Sequence, residues 1–358
     1  MISATAYHAA RTRAASLARP ERGRLVVSGA DRASYLQGLL TNDIQALKPG
    51  EGCYAAYLTA QGRMITDLFV YELGDVMLLT VPLPQKDAVL AKLDQFVFTE
   101  DVQLGDATDA FHTTAIVGPD AGRVLCPLIG LAEPDLVSLP PHGNRRVQFD
   151  GLAAIVTRIV DAGEPGFDLH VDSAHAHALA NALQAAGVEA LDVPTAEALR
   201  VESGIPVFNR DMDDETIPLE AGIESRAISV SKGCYVGQEV IVRVLHRGHG
   251  RVARKLVGVI VDGESIPAAG AAVTADGRDI GHVTSGAYSP ALHRPIALAY
   301  VHRDFLTGGT AVTVEGVRGE VAPLPFVDGT RQQAVVKGER PARRGEDRPQ
   351  GLRDTEKP

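Results

Sequence analysis

The sequence predicts an α+β protein that ends in an antiparallel β domain, and two observations carry that reading. Up to about residue 203, short β-type runs alternate with stretches of helical period, so helices lie against one side of sheets. After Gly248 the period becomes two, with Asp-Gly and Gly-Gly turns between runs, as in an antiparallel barrel or sandwich.

In chain order, residues 1–20 are rich in Arg, Ala and Ser and are expected to form a solvated extension. Leu25 to Val27 is a short strand, and Asp31 stands as N-cap of a helix with Tyr35, Leu36, Leu39 and Leu40 on one face. Tyr54 to Thr59, Met64 to Tyr71 and Val76 to Val81 read as strands between Gln61-Gly62 and Gly74-Asp75 turns. Gln85 to Phe98 reads as a helix and Val102 to Leu104 as a closing strand. Near Phe111 the pattern restarts. Strands at Thr114 to Val117, Arg146 to Phe149, Ala153 to Ile159 and Phe167 to Val171 precede a helix over Ala174 to Ala186. Pro194 suits the first turn of a helix that Gly204 and Pro206 end. Residues 205–231 form an irregular, acid-rich segment of the length that often carries function. Residues 248–327 hold the alternating strands, and from Asp328 the chain is charged, rich in Pro and Gly, and expected to be disordered.

Composition excludes several classes. A net charge of -10 argues against general nucleic-acid binding, which relies on basic side chains meeting phosphates. No apolar run is long enough to span a bilayer. Cys53, Cys126 and Cys234 lie far apart with no zinc spacing, which fits a reducing compartment. A bacterial cytoplasm is the expected location, ahead of a mitochondrial matrix. His175 and His177 point to different helix faces, and His246 and His249 lack companions, so no metal site is expected.

The octet Lys232-Gly233-Cys234-Tyr235-Val236-Gly237-Gln238-Glu239 places a thiol beside a lysine and ahead of a helix start. A helix N-terminus and a nearby ammonium both favour thiolate. The same pattern also fits a small buried thiol at a tight turn.

With the octet, the chain carries Gly29-Ala30-Asp31, Tyr35-Leu36-Gln37-Gly38, Thr41-Asn42-Asp43, Gly62-Arg63 before Asp67, Arg200 through Pro206, and Leu324-Pro325-Phe326. In these it closely resembles the YgfZ family of folate-binding iron-sulfur cluster assembly factors, relatives of the glycine-cleavage aminomethyltransferases. The resemblance implies two ferredoxin-like α+β portions around a central hole, followed by a C-terminal β-barrel. The first portion would comprise 21–110 plus 195–247, the second 111–194, and the barrel 248–327. It further implies a tetrahydrofolate in the hole. Glu202 would accept hydrogen bonds from the pterin's adjacent N–H groups, a task that suits a carboxylate. Asp67 matches one of two acids near the folate's reacting nitrogens, with Thr66 replacing the other. Asn42 and Gln37 would offer amides, and Tyr35, Tyr54 or Tyr57 an aromatic face, in a chain without tryptophan. Arg243 would meet the folate's glutamate tail, with Lys232 beside Cys234. The function implied is that of an accessory factor in [4Fe-4S] cluster assembly or repair, serving radical tRNA-modifying enzymes among others, with iron-sulfur client enzymes or assembly proteins as partners. The alternatives are an aminomethyltransferase passing a one-carbon unit to tetrahydrofolate and a cysteine hydrolase, for which no His and Asn/Asp companions stand out.

Overall fold

Residues 2–247 and 250–327 are described in a computed structural model. The tail expected from Asp328 onward, and His249, lie outside the described residues. The chain begins not with a solvated extension but with a docked helix, α1 (Ala4–Thr12), and a strand, β1 (Ala15–Ala18). The correction has a simple cause. Ala6, Ala9 and Ala10 recur at helical spacing and are buried, and small side chains let this helix approach α-helical and β neighbours closely.

Then follow β2 (Arg22–Ser28), α2 (Arg32–Leu39), β3 (Gly52–Leu58), β4 (Met64–Glu72), β5 (Val76–Pro82), α3 (Lys86–Asp94) and β6 (Gln103–Asp106). They build a five-stranded sheet in the order β3-β4-β5-β2-β6. The Asp31 side chain caps no N–H of α2; it accepts from the Asp101 amide instead.

The second unit runs β7 (Phe111–Val117), α4 (Ala121–Ile129), α5 (Glu133–Val137), β8 (Asn144–Phe149), β9 (Leu152–Ile159), β10 (Gly166–Asp172), α6 (Ala176–Ala185) and β11 (Glu189–Ala190). Its sheet order is β8-β9-β10-β7-β1-β11. Both units therefore follow one path, a strand, a helical crossover, three strands, a helix and a strand, with β1 inserted beside β7 in the second.

Next comes α7 (Val193–Glu202), with Asp192 capping the Thr195 N–H at 2.7 Å and Pro194 in its first turn. The segment after it contains only α8 (Glu224–Ala227) before α9 (Gln238–Val242), whose helical path continues through Arg243–Arg247. Ile241, Val244 and Leu245 pack inward and Val242 faces out, as the spacing predicts. The C-terminal strands β12 (Arg254–Val261), β13 (Ala272–Ala275), β14 (Arg278–Ser289), β15 (Arg294–His302), β16 (Ala311–Val314) and β17 (Val317–Ala322) close into a barrel in the order β12-β15-β14-β13-β16-β17. The fold is thus α+β with a closed antiparallel barrel, which resolves the choice between barrel and sandwich.

Alternation along β3 and β4 decides which side chains can reach a site. Cys53, Ala55 and Tyr57 face one core, whereas Tyr54, Ala56 and Phe69 face the other way. Asp67 pairs with Ala56 and Phe69 with Tyr54, so Asp67 shares the second face.

Candidate active site

That second face opens into a cavity of about 560 Å³. Both α+β units contribute walls: Arg19 and Arg22 before and at the start of β2, Tyr54, Asp67 and Phe69 on β3 and β4, and Asp161 after β9. Arg200 of α7, the Ile205–Arg210 stretch and Arg226 of α8 close the other side.

Asp67 sits at the buried end. Its Oδ2 accepts from the Tyr54 hydroxyl at 2.8 Å, while Oδ1 is buried and meets no donor. Burial pushes its carboxyl above the usual aspartate range, and the Arg22 guanidinium only partly opposes that. Tyr54 and Phe69 lie with ring centroids 5.0 Å apart, and Arg226 and Arg22 stack over them, each at 5.3 Å. Asp161 accepts from Arg19 at 2.8 Å and from Arg22 at 2.9 Å, and these charges hold its carboxyl well below the ordinary range despite burial. Behind it, burial raises Asp168 to about 6.

Several expected site residues do other work. Glu202 does not line the cavity. It is fully buried and accepts from Tyr7 Oη at 2.8 Å, the Arg11 guanidinium, the Ser289 hydroxyl and the Ala291 amide at 3.3 Å. With both oxygens engaged and no exposed surface, it is a tie between α1, α7 and the barrel and cannot reach a pterin. Tyr57 is on the wrong face of β3, inside the first unit's core, and Tyr35 is likewise buried there, bonded to the Leu93 carbonyl. Tyr54 is the tyrosine that reaches the cavity.

Gln37 and Asn42 are buttresses, not ligands. Gln37 Oε1 accepts from the Ile44 amide at 2.7 Å and its Nε2 donates to Asp43 at 3.0 Å. Asn42 Nδ2 donates to the carbonyls of Tyr54 at 2.8 Å and Arg226 at 3.1 Å, so it fixes both residues whose side chains meet in the cavity. Arg243 is exposed and forms no part of the lining.

The octet is pinned as a unit. Lys232 is buried and donates to the carbonyls of Gln37, Leu40 and Asn42 at 2.6–2.7 Å, which occupies all three ammonium hydrogens. Burial lowers its pKa to about 8. It therefore caps the C-terminal end of α2 and has no donor left for the thiol. Gly237 adopts φ 84°, and a Cβ there would lie 2.5 Å from the Thr59 carbonyl oxygen, so only glycine fits. Tyr235 is buried, whereas Cys234 is exposed and lies outside the cavity lining. The thiol is accessible, but α9 begins only at Gln238 and is five residues long, so two supports for an activated thiolate fall away.

Sequence reasoning missed Arg19, Arg22, Asp161 and Arg226. The cluster Arg19-Pro20-Glu21-Arg22 was a signal, since so many charges flanking a strand need partners. Nothing in the sequence pairs it with Asp161.

Comparison with known proteins adds three findings. Residues 2–232 match the model described as the GCVT N-terminal domain, and residues 254–328 match the Glycine cleavage T-protein C-terminal barrel domain. The chain is 33% identical over 322 residues to the aminomethyltransferase of Rubrobacter xylanophilus, covering 89% of this chain and 85% of that one. It is 32% identical over 329 residues to the aminomethyltransferase of Streptomyces coelicolor, covering 89% and 87%. Among solved structures, glycine cleavage system aminomethyltransferase T from Bartonella henselae superposes with a TM-score of 0.81 at 25% identity, covering 90% of this chain and 89% of that one.

Proposed function

The chain belongs to the glycine cleavage T-protein family, and on that premise we propose that its cavity binds a tetrahydrofolate and handles a one-carbon unit there, as an aminomethyltransferase does. The observation that carries this reading is Asp67 Oδ1, a buried carboxylate oxygen without a donor at the end of an aromatic-walled cavity. Leaving such an atom unpaired costs about 1–3 kcal/mol. A ligand ring with N–H groups would recover that cost. The cavity's volume falls within the usual few hundred to about 1,000 Å³ of ligand pockets, and the residues present fit the group: a carboxylate for its N–H donors, and the Tyr54 and Phe69 faces for its flat ring.

When bound, tetrahydrofolate supplies the nitrogens between which a one-carbon unit is carried. The protein's own part follows from its side chains. Tyr54 orients the Asp67 carboxyl by donating to Oδ2, leaving Oδ1 to meet the ligand. Burial makes Asp67 a better base than an ordinary aspartate, suited to holding a proton at that oxygen during transfer. Asp161 fixes Arg22 over Phe69 and so shapes the opposite wall.

One observation favours a second reading. Every anchor of the octet is internal, and they leave the Cys234 thiol facing solvent. That arrangement suits an accessory factor of the YgfZ type, in which the thiol meets an iron-sulfur client or assembly partner while folate occupies the cavity. No helix among the described residues is long and apolar enough to cross a membrane. A cytoplasmic setting is part of both readings.

The test has two arms. The purified chain mixed with an aminomethyl-loaded lipoyl carrier and tetrahydrofolate should form methylene-tetrahydrofolate on the first reading, and Cys234→Ala should leave that rate unchanged. No product, together with a fall in cellular [4Fe-4S] enzyme activity on Cys234→Ala, defeats the transferase reading in favour of the accessory one.

A further inference from the structure

Five arginines line the cavity, and four are neutralised by carboxylates. Arg19 pairs with Glu21, Asp161 and Asp168, and Arg22 with Asp161. Arg200 pairs with Glu197 and Asp211, and Arg210 with Glu197. Arg226 differs. Among the described residues its guanidinium meets no carboxylate, and it rests on the Tyr54 ring at 5.3 Å. Its backbone is nonetheless firmly placed. The Arg226 carbonyl accepts from Asn42, the Ala227 carbonyl from Thr41 Oγ1, and the Ser229 amide donates to the Thr41 carbonyl.

Once the internal pairs are set aside, the cavity keeps two uncompensated groups. One is the Asp67 carboxyl, and the other is the Arg226 guanidinium, on either side of the Tyr54 phenol. A molecule matching both carries N–H donors on a flat ring at one end and an acid at the other. We propose that Arg226 is the specificity-determining residue that reads the ligand's acid arm, through a bidentate guanidinium–carboxylate pair. This deepens the folate reading and rests on it. It assigns the glutamate carboxylate to α8, in place of Arg243.

The experiment compares two ligands on three proteins by calorimetric titration. 5-Formyltetrahydrofolate carries ring and glutamate; 6-methyltetrahydropterin carries the ring without any carboxylate. Arg226→Gln should weaken 5-formyltetrahydrofolate about tenfold or more, the range of a charge-assisted pair, and leave 6-methyltetrahydropterin within about twofold. Arg226→Glu should weaken the folate further. Because Arg226 is exposed, both variants should melt with the unaltered protein. Unchanged folate affinity, or equal losses for both ligands, overturns the assignment to Arg226 and leaves the folate reading standing. If the unaltered protein binds neither ligand, the folate reading fails, and the assignment with it.

Discussion

Replacing Glu202 with Ala separates a structural tie from a ligand contact. The carboxylate is fully buried, and its removal strips an acceptor from Arg11, Tyr7, Ser289 and the Ala291 amide at once. Breaking a buried ion pair by deleting one partner costs about 3–5 kcal/mol. Arg11 keeps Glu164, so the lower end, about 3 kcal/mol, is expected. For a chain of this size that corresponds to roughly 5–10 °C in Tm. The assay is a thermal melt followed, well below the transition, by tetrahydrofolate titration. Glu202→Ala should melt early yet bind tetrahydrofolate within about twofold of the unaltered protein. Glu202→Gln, which keeps one acceptor, should lie between the two in stability. An unchanged Tm with a tenfold loss of affinity would refute the placement of Glu202 and return it to the ligand.

Lys232→Met leaves three carbonyls without their ammonium and should lower stability by about 2–4 kcal/mol on the scale of lost charged hydrogen bonds; a normal melt with slowed alkylation of Cys234 would instead make Lys232 an activator of the thiol. The pH profile of ligand binding follows from Asp67. Its carboxyl is raised in the free protein, and a donor-bearing ring favours the ionised form, so affinity should fall as pH drops through a range above the ordinary aspartate value of about 4. A flat calorimetric profile down to pH 4 would remove Asp67 from the contact.

The sequence was legible where periodicity and turn chemistry agree. The restart near Phe111 and the change to period two after Gly248 anticipated the second sheet and the barrel, because each depends on local alternation. The first helix was not, since Ala-rich, Arg-rich residues read equally as solvated chain until the alanines find a tight interface. The site was half legible. Asp67 lies in the cavity as the family resemblance implied, and Cys234 is accessible. Glu202, Tyr57, Gln37, Asn42, Lys232 and Arg243 do not line it, because a motif names a residue without saying which face of a strand it takes or which long-range partner has claimed it. Tyr54 and Tyr57 differ by an odd number of residues, and that parity alone sends one to the cavity and the other to the core. Glu202 depends on Arg11 and Ser289, partners 191 and 87 residues away.

The central claim is that the Asp67 cavity is the ligand site, and calorimetric titration of tetrahydrofolate into the unaltered chain and into Asp67→Asn tests it most directly. The account predicts saturable one-to-one binding that weakens about tenfold or more in the variant, at an unchanged melting temperature. Equal affinity in the two proteins, or no binding by the unaltered chain, would contradict it.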